Sequence, residues 1–516
     1  MGRFSYPATL LLRVVTLVVL TSCNGDDGGR VEDIVVTAPT AYLWVNETLQ
    51  FTAEARDGKR KPLEGRAITW RSEDPSVATV DDTGLLTGVS VGITDIVATS
   101  EGKQGRQRIN VRSRAAFVGV VMEGRHLPRL EQYLPTLKVG SEVVLLADAY
   151  DIGLNRLPDA VRDMRWSSSD STIASVSATP YGAKVTGLAP GKVTVTADFE
   201  GIRRDFTLVV GKGYTLTEFG TPLALTVEVT NLNEHGHVVG SIDRHAFVWR
   251  GGPVIDLGLE GESVAWDIND HGQVVGDFGL GWTAIRAFSW QEGQATDLSV
   301  SPGPDMHAVA INNQGEVAGF THSRWVGGEG AAHAVVWRNG QLNDLGTLGG
   351  YAAYPLDITS QGHLVGLSVA SSTSQTPFIF RDGQLSTLSV SNSWGTTGGR
   401  AVAMSEDGTV VGNTGDGAFV WRNGAFTYLA PDEETTLRVF DVNNHGQVVG
   451  QTESRFGTTL AFLWQDGVAL DLSGLVDLPL LGTLTNARAI NDRGQIAVET
   501  DINGGPPGGA LLTPVP

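Results

Sequence analysis

Three kinds of residue in this chain could do chemistry: oxygen-rich Asp/Asn corners, aromatic side chains set near arginines, and one lone cysteine. Asp267-x-Asn269-Asp270 and Asp441-x-Asn443-Asn444 space carboxylate and carboxamide oxygens as calcium loops do. Both lack the distal acidic ligand that a hard-cation site needs. Trp282, Trp325, Tyr351, Tyr354, Trp394 and Phe456 stand near His322, Arg324 and Arg455 in sequence. Exposed aromatics beside Arg suit stacking on a glycan or anchoring a protein partner, so these residues form the candidate ligand face. His235, His271 and His445 precede turn glycines where other copies place Gln314, Gln361, Asp407 or Arg493. They read as exchangeable turn residues, not ligands. There is no Gly-rich phosphate loop, paired-His helix or nucleophile elbow, so no metal, cofactor or catalytic set is expected.

The lone cysteine, Cys23, excludes internal disulfides and calls for an explanation of its own. Arg3 and Arg13 precede the apolar run Val14–Leu20, which ends in Thr21-Ser22-Cys23. A basic start, a short apolar core and small residues at the cut make a secretory signal over residues 1–22. Leu20-Thr21-Ser22-Cys23 resembles the bacterial lipobox, which implies lipidation of Cys23. The apolar run is far short of the ~20 residues that span a bilayer, so the expectation is anchoring without crossing. Asn24–Gly29 reads as flexible tether within residues 23–30. Asn24 is not the aspartate that some bacteria use for inner-membrane retention, which favours the outer membrane and surface exposure.

The chain has 516 residues, 65 of them Gly, with only 18% charged residues and a net charge of −20. Its length requires several domains, and the Gly excess suits turn-rich β-structure. The charge argues against nucleic acid as a partner and against electrostatic adhesion to anionic lipid.

The elements that must position any site fall into two parts. Residues 31–112 alternate apolar and polar positions in short runs, as an antiparallel sandwich does. Trp70-Arg71-Ser72-Glu73-Asp74-Pro75-Ser76-Val77-Ala78-Thr79-Val80, followed by Gly84 and Gly88, resembles the group 2 bacterial immunoglobulin-like domain. Residues 113–211 repeat the plan, with Trp166–Val176 as the tryptophan motif and Gly187 and Gly191 standing for the glycine pair. Each Trp is expected to pack between sheets.

Beyond residue 213 a phrase recurs seven times: apolar-Asn-x-x-Gly-x-Val-Val-Gly, then Ala-Phe-x-Trp, then Asp-Leu. Its turn glycines are Gly236, Gly272, Gly315, Gly362, Gly408, Gly446 and Gly494, spaced by 36, 43, 47, 46, 38 and 48. Each copy reads as a tight hairpin plus two further strands. Such a sheet cannot bury both faces alone, and radial stacking solves that. The last copy stops after its third strand, and Tyr214–Gly220 matches the missing fourth. It is therefore expected to complete the seventh sheet and close the array, removing exposed edges. The repeat over 213–516 resembles the HAF extracellular repeats, after His245-Ala246-Phe247, which implies export and carries no established chemistry.

The reading is an all-β chain: two Ig-like β-sandwiches followed by a seven-bladed β-propeller. Loops within Phe278–Arg286, Thr321–His333, Val369–Thr376, Ser389–Gly399 and Phe456–Thr459 vary, and variable loops on a rigid scaffold commonly bind. The expected function is an envelope-anchored binding or adhesion protein for a glycan or protein. A glycan hydrolase or lyase, or a purely structural envelope component, is the alternative.

Overall fold

The computed structural model describes residues 29–122, 135–151, 154–157, 160–219, 226–279, 285–300, 304–322, 332–371, 374–390, 398–429, 436–453, 459–477, 482–502 and 508–515. Cys23 and the segment expected to be a signal lie outside them. The chain forms two compact units, one of residues 1–116 with 150–157 and one of the remainder. Among the described residues no helix is long and apolar enough to cross a membrane.

In the first unit, Tyr42–Trp44, Lys103–Arg112, Gly92–Ser100 and Thr69–Ser72 form one sheet, and Thr48–Gln50, Leu85–Gly88 and Ala78–Val80 form another. Their inward residues Phe51, Leu86, Ile96, Ile109 and Val111 are buried together. Trp70 packs against this cluster and meets Phe51 edge-on at 6.5 Å. The motif glycines are fixed by crowding. A Cβ on Gly84, at φ +81°, would lie 2.8 Å from the Phe51 carbonyl oxygen, and one on Gly88 2.6 Å from that of Trp44.

The second unit begins with a sandwich of the same plan, with Leu145, Val185, Val193, Val195 and Leu208 at its centre and Trp166 packed on them. Register corrects one sequence assignment. Gly187 pairs with Ala174 as Gly88 pairs with Ala78, and Gly191 pairs with Val210 as Gly92 pairs with Val111. The second glycine pair therefore answers to Gly88 and Gly92, because those positions, not Gly84, sit at the same strand junctions. Thr136 receives a hydrogen bond from the Asp471 amide at 3.0 Å, and the Lys138 ammonium lies 2.6 Å from Asp477. A Cβ on Gly474 would meet the Thr136 carbonyl at 2.5 Å.

Seven four-stranded antiparallel sheets follow, the first six each built from four consecutive strands. The first runs Val227–Leu232, Val238–Ile242, His245–Trp249, Ile255–Asp256. A bridge between Ala332 and Ala352 joins the third and fourth. The seventh takes its outer strand from Tyr214–Phe219, paired with Gly509–Pro514 as the strand count requires. The first strand of each sheet lies beside the first strand of the next, and the seventh lies beside the first. Phe247, Phe288, Phe378, Phe419 and Phe462 of the Ala-Phe phrase are fully buried. Phe219, Ala489, Ala497 and Leu511 from the seventh sheet share one cluster with Val227, Val229 and Phe247 from the first.

The repeated Gly of Val-Val-Gly answers to a bulge. Each first strand shifts register at one residue, as between Val264's neighbour Ala265 and Asp267. This brings the facing carbonyl so close that a Cβ on Gly276 would lie 2.0 Å from the Val264 oxygen. The seventh sheet has Val498 in place of that Gly and carries a second shift, between Leu484 and Asn486.

Candidate ligand-binding site

The turn asparagines tie the sheets together. Asn233 accepts the His235 and His237 amides through Oδ1, each at 3.0 Å, which closes its own corner. Its Nδ2 donates to the Asn269 carbonyl at 3.0 Å. Asn269 donates likewise to Asn312 at 3.1 Å and Asn312 to Thr359 at 2.9 Å. Asn443 donates to Asn491 at 3.0 Å and Asn491 back to Asn233 at 3.1 Å. Thr359 and Ser405 have no carboxamide, and there the next residue takes over. The Ser360 amide donates to Glu406 at 2.8 Å, and the Glu406 amide to Asn444 at 2.7 Å. Every junction, including seventh to first, is therefore bridged.

Two residues before each turn position stand Asn231, Asp267, Ala310, Asp357, Ala403, Asp441 and Ala489. Asp267 accepts the Ile268 amide at 2.7 Å and, across the junction, the Ile311 amide at 2.7 Å. Asp357 does the same for Ile358 and Met404, and Asp441 for Val442 and Ile490. Burial pushes these carboxyls up to about 7, about 6 and about 8, against the pull of the amides they accept. The Asp/Asn corners noted in the sequence are thus junction ties, with Asp267 and Asp441 turned toward the packing and Asp270 bonding the Glu234 amide and Asn313 in the neighbouring turns. Among the described residues no group of three or more His, Cys, Asp or Glu could hold a metal ion.

Chemistry of another kind lies at the opposite end of the first strands. Five residues before each turn position stand Glu228, Val264, His307, Tyr354, Arg400, Arg438 and Asn486. His307 Nδ1 lies 2.7 Å from Asp277 Oδ2, which also accepts Trp266 Nε1 at 2.9 Å. Phe320 stacks on the imidazole at 4.2 Å, and Tyr354 meets Phe320 edge-on at 4.9 Å. Arg400 and Arg438 follow on the next two sheets, where burial and the Arg438 charge lower the Arg400 pKa from its ordinary value. Beyond them Asn486 donates to Glu499 at 2.5 Å, and Glu499 also pairs with Arg488 at 3.0 Å.

Of the sequence-predicted face, His322, Tyr351 and Tyr354 are described. Trp282, Arg324, Trp325, Trp394, Arg455 and Phe456 lie outside the described residues. Tyr354 is not a loop residue: it lies within the strand Ala352–Ile358 and pairs with Leu367. The bulge after it keeps the strand continuous to the turn. His322 ends the strand Val317–His322, and the Tyr351 backbone bonds both Ala332 and Val369. Sequence reasoning missed Asp277, His307, Arg400 and Arg438. Counting back five residues from each turn position would have found the last three.

Residues 30–111 and 155–198 match the bacterial Ig-like domain (group 2). A curated relative, ice-binding protein 1 of Shewanella frigidimarina (strain NCIMB 400), is 27% identical over 197 residues, covering 35% of this chain. The match spans 20% of that protein's length. Among solved structures, the Yersinia pseudotuberculosis adhesin InvE is 14% identical at TM-score 0.22, with 42% of this chain and 69% of that one covered. The β-propeller domain of the trilobed protease from Pyrococcus furiosus is 11% identical at TM-score 0.34, with 70% and 96% covered. The chain thus contains bacterial group 2 Ig-like sequence within a nearly all-β fold.

Proposed function

We propose that this is an exported, surface-exposed binding protein whose Ig-like domains carry a closed seven-bladed β-propeller. In this reading residues 1–22 are a signal, Cys23 is lipidated, 23–30 is tether, and 31–112 and 113–211 are the Ig-like domains. Residues 213–516 form the propeller. Its ligand, an extracellular glycan or protein, binds where the first strands end away from the Asn turns.

One observation carries the reading. Along the first strands, the position five residues before the turn holds Glu, Val, His, Tyr, Arg, Arg and Asn, whereas the position directly before it holds only Leu, Ile, Met or Val. Uniform aliphatics serve packing that every sheet shares. Non-repeating polar and aromatic side chains on a repeated backbone suit recognition. The Ig-like match and the ice-binding relative fit a protein that works outside the cell. The segment shared with that relative is a fifth of its length, so no ligand is carried over from it.

The test is a glycan array and an extracellular-protein pull-down with the full chain. At least one ligand should bind and should weaken about tenfold with Tyr354→Ala, in line with the cost of losing an aromatic anchor. A ligand unaffected by Tyr354→Ala and by Arg438→Ala would place binding elsewhere.

A further inference from the structure

We infer that a cleft where the sandwich of the second unit meets the sixth and seventh sheets binds an amphipathic anion, an aliphatic chain ending in one anionic head. The cleft lies at the Asn-turn end of the sheets, so it is a second site, separate from the face proposed above.

The cleft has a volume of about 630 Å3, within the range of roughly 300–1,000 Å3 seen in small-molecule sites. The junction beside it is tight. A Cβ on Gly211 would lie 2.7 Å from the Leu475 side chain, and one on Gly474 2.5 Å from the Thr136 carbonyl oxygen. The gap is therefore a shaped opening in a close-packed contact. Leu463, Val468, Leu470, Leu475 and Pro514 give it an aliphatic wall. Such a wall suits an alkyl chain, since none of these side chains offers a flat ring for a sugar to stack on.

Tyr214 supplies a polar group that lacks a protein partner. It lines the cleft at 8% exposure, with its ring in the aliphatic cluster of the seventh sheet. Its hydroxyl makes no hydrogen bond among the described residues, and burial pushes its pKa up to about 12. At neutral pH it is a donor without an acceptor, a state that folded proteins avoid. Register shows how it comes to stand there. Tyr214 pairs with Pro514 at the place that Gln294, Gln341, Gln384 and Ala425 hold in other sheets, where all four are exposed. The seventh sheet takes this strand from the chain leaving the sandwich, and there the position is buried.

The charges set the head group. Lys192, Lys212 and Arg493 line the cleft, and their side chains make no hydrogen bond or ion pair among the described residues. The Arg493 charge acts on Glu234 only through space. The lining carboxylates are committed. Asp492 accepts the Asn444 amide at 2.8 Å and its Nδ2 at 2.7 Å, and lies 3.9 Å from His445, while Asp466 accepts Gln465 Nε2 at 3.1 Å. Three unpaired cations in one cleft stand out in a chain whose acidic residues outnumber basic ones 57 to 37. One anionic head offsets them and accepts from Tyr214 as well. Arg493 also breaks the repeat, since the six other residues before the turn glycines are His, Gln or Asp.

The experiment is calorimetric titration of the full chain with decanoate, decyl phosphate, decanol, decylamine and acetate, each kept below micelle formation. At least one of the two decyl anions should bind, about tenfold or more tightly than decanol and decylamine, and the tighter anion identifies the head group. Acetate, which lacks the chain, should give no measurable heat. Tyr214→Phe and Arg493→Gln should each lower the affinity about three- to tenfold, with wild-type melting temperatures showing that both fold. Decanol or decylamine binding as tightly as the anions would reduce the cleft to an apolar surface and overturn the inference. Binding of neither anion, or wild-type affinity in either variant, would overturn it too.

Discussion

Asp267 and Asp441, at corners where sequence suggests a site, and Asp357 at the equivalent place of the fourth sheet show how single residues in this chain serve the fold. Asp267 is buried and Asp357 and Asp441 are half-buried, and each accepts one amide from its own sheet and one from the next. In the unfolded chain an Asp ionises near about 3.9, and in the folded one burial raises these to about 7, about 6 and about 8. Between those limits the folded state holds more protons than the unfolded one, so stability falls as pH rises. The decline should end near pH 6 for Asp357 and near pH 8 for Asp441. Melting temperatures across pH 4–9 should therefore fall less steeply between 6 and 8 in Asp441→Asn than in wild type. Parallel curves would show that Asp441 does not titrate in that window.

At the scale of the element, the glycine in the second strand of each repeat is a packing requirement. A Cβ on Gly276 would overlap the Val264 carbonyl at 2.0 Å, whereas Gly252 has nothing within 4 Å. Gly276→Ala should destabilise by at least about 1–3 kcal/mol, the usual cost of overpacking. Gly252→Ala should stay within about 0.5 kcal/mol of wild type. Denaturant unfolding of the two variants measures the contrast, and equal midpoints would show that the bulge relaxes freely. Strand alternation, the Asn-x-x-Gly corners and the Ala-Phe phrase made these elements legible in the sequence, because each is a local signal. The bulges were not legible: a register shift is a relation between two strands, and only the lost Gly at Val498 hinted that the seventh sheet differs. The arginine pair was hidden for the same reason. Arg400 and Arg438 are 38 residues apart in sequence and come near each other only because the fifth and sixth sheets pack side by side.

At the scale of the whole molecule, the proposed propeller has an odd number of blades, and the junction ties alternate. Asp stands at the second, fourth and sixth sheets and Ala at the third, fifth and seventh, so strict alternation cannot close on itself. The first sheet resolves this with Asn231, whose Nδ2 donates to Asp267 at 2.7 Å while its Oδ1 accepts the Leu232 amide at 2.8 Å. Asn231→Asp would set a half-buried carboxylate against the buried Asp267. It should cost on the order of 3–5 kcal/mol at neutral pH, the range for an uncompensated buried charge, and partly recover in mild acid. A variant as stable as wild type at pH 8 would contradict this view of the seam.

Closure itself is the central claim, and the pairing of Tyr214–Phe219 with Gly509–Pro514 is where it can be tested most directly. Thr215 and Thr513 are register partners across that seam, although they lie at opposite ends of the repeat array. The measurement is disulfide formation in the full chain carrying Cys23→Ser, Thr215→Cys and Thr513→Cys. A closed ring predicts spontaneous oxidation to an intramolecular bond and a melting temperature that drops when the bond is reduced. Two thiols that stay free and fully titratable in the folded protein under oxidising conditions would contradict it.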